Sequence, residues 1–411
     1  MIATPRVGGT PHPLHLAVAL DGAGWHPAAW REPGARAGEL YTARYWTDIV
    51  TAAERGLLDF VTIEDSLVLQ CEDPFSGGDD SRTDRVRGRL DALLIAASVA
   101  PSTEHIGLVP TVTTTHTEPF HVSKSVATLD HVSHGRAGWQ VKVGGTPGEA
   151  AHFGRRTFPG ITRDFATDPV ALAALQETFA EAAGHVEVVR RLWDSWEDGA
   201  EIRDVTTGRF IDREKLHYID FEGPHFSVRG PSITPRPPQG QPVVTALGHH
   251  TIPYELAATS ADVVFVTPHD DEHATGILAE VRQAEQRIGR TDPPLKVFAD
   301  VLVILDRTTD AALRRRRRLD EAAGAPLSSD AHIFTGTSSE LASLLLRWRS
   351  LGYAGFRLRP AVVADDLVSV VDGLVPELQR AGAFRTAYDQ HTLRERLALP
   401  VAANRYAPTP A

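Results

Sequence analysis

The sequence predicts a single (β/α)8 barrel over residues 1–411, and three observations predict it. Strand-like apolar runs begin near residues 14, 58, 106, 138, 243, 263, 297 and 355, with helical patterns between them. A chain of 411 residues with 42% apolar side chains has enough core for one large barrel with insertions. The stretch from His116 to Gly145 completes a βαβ unit, whose polar loop follows the carboxyl end of a strand, where barrels of this class carry out chemistry.

Leu14 to Leu20 is the first strand, followed by the turn residues Asp21, Gly22 and Gly24 and a loop bearing Trp25, His26 and Trp30. Tyr45 to Arg55 is helical. Leu58 to Ile63 is a short strand ended by Glu64 and Asp65, an acidic pair that needs partners or water at a strand end. Residues 70–85 are a polar loop, and Leu90 to Ala100 is an alanine-rich helix. Ile106 to Val112 is a strand feeding the hydroxyls of Thr113, Thr114 and Thr115. Pro119 then opens a helix with Val122, Val126, Leu129 and Val132 on one face. Gly135 and Gly138 stop it, and the period returns to two from Ala137 to Val143.

Residues 146–170, punctuated by glycine and proline, are expected to form an active-site loop or lid. Val170 to Trp193 is a long helix, with a break expected near Gly184. A hairpin-like insertion covers 210–228, inside a wider insertion at 200–235; a third insertion spans 305–340. Within the last, 309–323 is helical and 325–337 a looser connection. Gly276 to Ile288, Glu340 to Ser350 and Leu367 to Ala381 are helices, and Thr392 to Leu397 is a terminal helix packed on the barrel.

The formal charge of -11 and the absence of a basic block with interleaved aromatics argue against nucleic acid as a partner. Arg314 to Arg318 reads as a solvated helical face. One cysteine, Cys71, excludes an intrachain disulfide, and its acidic flank disfavours a thiolate. No apolar run approaches 18 residues, so a soluble, cytoplasmic protein with no membrane partner is expected. His269 and His273 flank Asp270, Asp271 and Glu272. That order lacks the glutamate placement of the zincin motif and reads as a polar helix start, so no metal is expected.

Several segments carry a resemblance. They are Thr113 to Phe120, the run Leu129-Asp130-His131-Val132-Ser133-His134-Gly135-Arg136-Ala137-Gly138-Trp139, Arg229-Gly230-Pro231, and Pro238 to Pro242. Together they resemble the bacterial luciferase-like flavin monooxygenases, in the branch of nitrilotriacetate and dibenzothiophene-sulfone monooxygenases. Similar landmarks extend from about residue 14 to residue 404. The resemblance implies FMN, used as FMNH2 delivered by a separate NAD(P)H:flavin reductase. It also implies O2 and a small organic substrate as partners, and a homo-oligomer. A deazaflavin oxidoreductase, or a barrel that has lost flavin and serves as a binding subunit, are the alternatives.

By that resemblance Asp65, Thr114, Thr115 and Gln140 surround the flavin ring, with amide and hydroxyl groups able to donate to its polar edge. Gln140 stands where the family commonly has asparagine. His116, with Asp65 and Thr115, is the catalytic candidate, as a proton-handling group. His152 and Phe153 stand in a segment similar to the family's Asn-Phe-Gly. Phe179, after Thr178, replaces the tyrosine of an Arg-Tyr pair. Trp25, His26 and Phe153 face substrate. The phosphate site departs from the family's Ala-Gly-x-Ser-x-x-Gly: Leu247, His249 and Ile252 replace its glycine, serine and last glycine, leaving Gly248, His249 and Thr251 as the phosphate candidates.

Overall fold

The computed structural model describes residues 13–71, 81–158 and 168–408. Eight parallel strands close a barrel: β1 (His15–Leu20), β2 (Phe60–Ile63), β3 (Gly107–Thr113), β4 (Gly138–Lys142), β5 (Val243–Leu247), β6 (Val263–Val266), β7 (Lys296–Leu305) and, beyond an inserted β8 (His332–Gly336), β9 (Gly355–Pro360). Each pairs with the next, β6 joins β7, β7 joins β9, and β9 returns to β1. Helices α1 (Ala43–Arg55), α2 (Ala92–Val99), α3 (Pro119–Val132), α4 (Pro147–Phe153), α5 (Pro169–Asp194), α6 (Thr251–Ser260), α7 (Asp271–Ile288), α8 (Thr309–Ala323) and α9 (Ser338–Leu351) follow their strands on the outside. All eight expected strands are present. Because helices cover one face and the barrel core the other, both faces are buried, which is why the strands read as near-continuous apolar runs.

The inner faces divide into two zones. Toward the amino ends, Ala17, Phe60, Val109, Val243, Val263, Phe265 and Phe298 fill the barrel, and Leu393 and Leu397 of the terminal segment close it from below. Gly107 makes that closure possible, because a Cβ there would stand 2.7 Å from the Leu393 side chain. Toward the carboxyl ends the inward positions become polar and charged.

The motif that most specifically carries the family resemblance is scaffolding at the amino-end side. Arg136, 2% exposed, donates to the carbonyls of Ala100, Thr103, Ile106 and Ser133 and to the Thr103 hydroxyl. Asp130 accepts from the Ala137 and Gln239 backbone N–H groups and from the Gln239 amide. These bonds satisfy buried backbone groups where the loops turn back into β3 and β4.

Four expectations differ from the structure. In the run Arg314 to Arg318, expected as a solvated face, Arg315 is buried and donates to the Leu305 carbonyl and to both oxygens of Asp366. The long helix α5 is unbroken: a Cβ at Gly184 would meet nothing nearer than 3.7 Å, so nothing forces a kink. The looser connection 325–337 contains β8, since β7 is ten residues long and only its first half pairs with β6; β8 takes the projecting half, with Val301 opposite His332 and Leu305 opposite Gly336. Helix α7 starts at Asp271, earlier than Gly276, because the Asp270 carboxylate accepts the His273 N–H as a cap.

The insertion at 200–235 forms two small antiparallel hairpins, Glu201–Asp204 with Arg209–Ile211 and Phe221–Glu222 with Ser227–Val228. Of the expected lid, residues 159–167 lie outside the described residues, as do 72–80 of the polar loop. Among the described residues no helix is long and apolar enough to cross a membrane.

Candidate active site at the barrel mouth

A period of two on β9 sends Arg357 and Arg359 inward, and on β7 it sends Asp300 inward to meet them. Asp300 is fully buried and accepts from the Nε and Nη2 of both arginines, the Arg357 Nη2 bond being 2.5 Å. Arg357 also donates to the Gln140 side-chain oxygen at 2.5 Å, and more weakly to Glu64 and Thr62 at 3.3 Å. The Gln140 amide nitrogen in turn donates to the Thr111 hydroxyl at 2.9 Å and to Glu64. On the other side, Arg359 donates to Asp330 at 2.6 Å, and Asp330 lies 3.8 Å from His249, whose Nδ1 is 3.2 Å from the Thr267 hydroxyl. A continuous polar floor therefore crosses the barrel from β4 to the loop after β5.

Aromatic faces cover the two cations of this floor. Arg357 stacks 4.0 Å from the Phe265 centroid and Arg359 4.7 Å from that of Trp25. Burial alone would raise the pKa of Asp330, but the charge and hydrogen bonds of Arg359 outweigh it and hold the carboxyl down at about 2.

The loop after β1 is fastened over this floor. Trp25 and His26 donate their backbone N–H groups to Pro360 and Ala361, and the Trp25 indole donates to the Ala19 carbonyl at 2.9 Å. Gly24 permits the approach: its φ is +142°, and a Cβ would lie 2.2 Å from the Ala361 oxygen. His26 accepts the Ala28 N–H at Nδ1, so Nε2 carries the proton that bonds Asp320 at 3.2 Å. Burial lowers its pKa despite that carboxylate, which keeps the ring neutral. A cavity of about 340 Å³ opens between this loop, the segment after β2, and Lys142 at the end of β4; Trp25 and His26 both line it.

The structure thus brings together Gln140 and His249, through the floor, and Trp25 and His26, above it. Asp65 stands at the rim, but its carboxylate is taken by the N–H groups of Ser66 and Ala92, and burial raises its pKa. The neighbouring Glu64 is the acid that faces the floor. Thr114 and Thr115 tie the β3 and β4 loops together, the Thr114 hydroxyl donating to the Lys142 carbonyl and the Thr115 hydroxyl accepting the Gly144 N–H.

His116 and Phe153 form a pair apart from the cavity lining. Their rings stack at 4.8 Å with Phe158 edge-on, and His116 Nε2 is buried with no hydrogen-bond partner among the described residues. Burial lowers the His116 pKa as well. His152 is exposed on α4, and Phe179 is half-buried on α5. Gly248 packs under Tyr254, where a Cβ would stand 2.6 Å from the ring. His249 and Thr251 are exposed at the amino end of α6, a helix start with no side-chain cap.

Lys142, Asp300, Asp330, Arg357 and Arg359 escape the sequence reading, which singled out Glu64 only as half of an acidic pair at a strand end. The signal was nonetheless present: Gly355-Phe356-Arg357-Leu358-Arg359 alternates charge with apolar residues, and Asp300 interrupts an otherwise apolar strand. Charges on buried faces of two strands must find partners inside the barrel.

The donor set suits a flavin mononucleotide. The uncapped α6 start, flanked by His249 and Thr251, offers backbone and side-chain donors to a phosphate. The floor gathers amide, hydroxyl and guanidinium groups, bonded to one another, at the end of the barrel that would receive a polar ring.

A family model described as luciferase-like monooxygenase matches residues 24–355. The chain is 30% identical to the N-acetyl-S-(2-succino)cysteine monooxygenase of Bacillus subtilis (strain 168), over 96% of this chain and 98% of that protein. It is 31% identical to the nitrilotriacetate monooxygenase component A of Aminobacter aminovorans, over 94% and 96%. Among solved structures, a long-chain alkane monooxygenase superposes with a TM-score of 0.81 at 23% identity, covering 95% of this chain and 96% of that one, a likeness of fold.

Proposed function

The chain belongs to the luciferase-like monooxygenase family, and from that premise we propose that it is the oxygenase of a two-component flavin system. It takes reduced FMN from a separate NAD(P)H:flavin reductase and transfers one oxygen atom of O2 to a small organic substrate. Bound reduced flavin supplies the two electrons and the site of oxygen activation. The observation that carries this reading is the polar floor crossing the mouth from Gln140 to His249, at the end of the barrel where such folds place their chemistry.

In this reading His249, Thr251 and the first N–H groups of α6 hold the phosphate. Gln140 and Arg357 would face the polar edge of the ring. Fixed by Asp300, Arg357 would present its guanidinium to the reduced cofactor without side-chain reorganisation. Thr114 and Thr115 hold the loops that frame the ring, and Trp25 shields Arg359 and the floor from water. The buried, neutral His116 suits a group that handles a proton beside the mouth, with Phe153 keeping it dry.

Anaerobic titration with FMN and with chemically reduced FMN, followed by admission of air and measurement of oxygen uptake, tests the proposal. Binding of the reduced form with subsequent oxygen consumption is expected. Binding without oxygen uptake would favour hydride transfer, and binding of neither form would overturn a flavin function.

A further inference from the structure

Lys142 is one of four lysines in the chain. It lies two residues past Gln140 on β4, in the same inward register, and so stands above the floor at the wall of the 340 Å³ cavity. Its ammonium has three donors, and one bonds the Asp65 carbonyl at 2.8 Å. It has no ion pair. The three carboxylates around it are engaged elsewhere: Glu64 with Gln140 and Arg357, Asp65 with the Ser66 and Ala92 N–H groups, and Glu149 with the Gly145 and Thr146 N–H groups. A largely desolvated cation that none of these carboxylates bonds directly is costly in a resting protein, and its burial lowers its pKa. Such a charge is retained where an incoming anion completes it.

The same cavity holds a second cation. Arg89 binds Asp21 through Nε and Nη2, at 3.1 and 2.6 Å, and among the described residues its Nη1 has no partner. Gln70 also donates to Asp21, whose charge is balanced by Arg89. The indoles of Trp25 and Trp30 and the side chains of Val68 and Leu69 give the cavity apolar walls. Its position separates it from the phosphate end of the flavin reading: it lies over β1, β2 and β4, whereas α6 follows β5, opposite β1 around the ring of strands.

We propose that this cavity is the substrate subsite, and that it takes a small carboxylate whose charge is anchored by Lys142, seconded by Arg89, with the organic body against the two indoles. The proposal rests on the flavin reading of the same mouth. A flavin phosphate is the other anion that could complete Lys142, and the test separates the two.

Tryptophan fluorescence of the protein, with and without FMN, is titrated with succinate and with dimethyl succinate. Succinate is expected to bind at least about tenfold more tightly than the ester, Lys142→Met to abolish that preference, and Lys142→Arg to keep it. Equal affinity for acid and ester in the parent protein, or unchanged succinate binding in Lys142→Met, would overturn the proposal. Titrating the same variants with FMN and riboflavin identifies the anion. An unchanged FMN-to-riboflavin preference in Lys142→Met supports a substrate subsite, whereas loss of that preference assigns Lys142 to the cofactor and overturns it. Should the parent protein bind no FMN, the flavin reading fails, and the succinate comparison on the FMN-free protein still decides the subsite.

Discussion

Asp300→Asn is the perturbation that bears hardest on the mouth floor. Asp300 is fully buried between Arg357 and Arg359, which are 1% and 3% exposed, and it accepts four hydrogen bonds from them. Replacing one carboxylate oxygen by an amide nitrogen aims a donor at a guanidinium and leaves two buried cations against Glu64 and Asp330 alone. Breaking a buried ion pair from one side costs about 3–5 kcal/mol. With an unfolding entropy of roughly 2.1 cal/mol/K per residue, a chain of 411 residues should then melt about 3–6 °C lower. The control is Asp372→Asn, which breaks the Arg55–Asp372 pair, more than half exposed on both sides, and should shift melting by less than about 1 °C. Differential scanning calorimetry at neutral pH makes the comparison. An Asp300→Asn protein that melts with the control would refute the view that the floor is a coupled, desolvated network.

Three further outcomes follow from the same geometry. His185 is 1% exposed between Trp139 and Phe226, and burial holds its pKa at about 3. The unfolded chain takes up that proton first as pH falls, so stability drops below pH 6.5 by about 1.4 kcal/mol per unit, and His185→Leu should reduce the loss between pH 7 and pH 5 by roughly 2 kcal/mol in urea titrations. His249→Ala should weaken FMN about tenfold in a fluorescence titration while leaving riboflavin unchanged, because only the phosphate contact is removed; equal weakening of both would move the phosphate elsewhere. Gly24→Ala forces a Cβ onto the Ala361 carbonyl at a positive φ, and should cost about 2 kcal/mol of stability and alter the near-UV signal of Trp25. An unchanged near-UV spectrum would show that the loop does not depend on that close approach.

The barrel was legible because its signals are local. Most strands are buried and largely apolar on both faces, and Pro119 and Gly135 mark helix ends through their own backbone chemistry, Asp270 through its capping carboxylate. β8 was hidden because its pairing depends on the length of β7, a tertiary fact with no trace in His332 to Gly336. The site was legible in pieces. Gln140 and Trp25 were found by position in a motif or loop, but the residues that join them come from strands far apart in sequence, and only closure of the barrel brings Arg357 to Gln140 across 217 positions. The resemblance also drew attention to Asp65 over Glu64. Which of two adjacent acids faces inward is set by strand register, and a shift of one residue exchanges the faces.

Diffraction from a crystal soaked with FMN tests the central claim most directly. The expected result is density for the isoalloxazine over Gln140 and Arg357 and for the phosphate against His249 and the first turn of α6, with Lys142 left clear of the flavin. Flavin density elsewhere, or none at saturating FMN, would contradict the assignment of the mouth floor as the cofactor site.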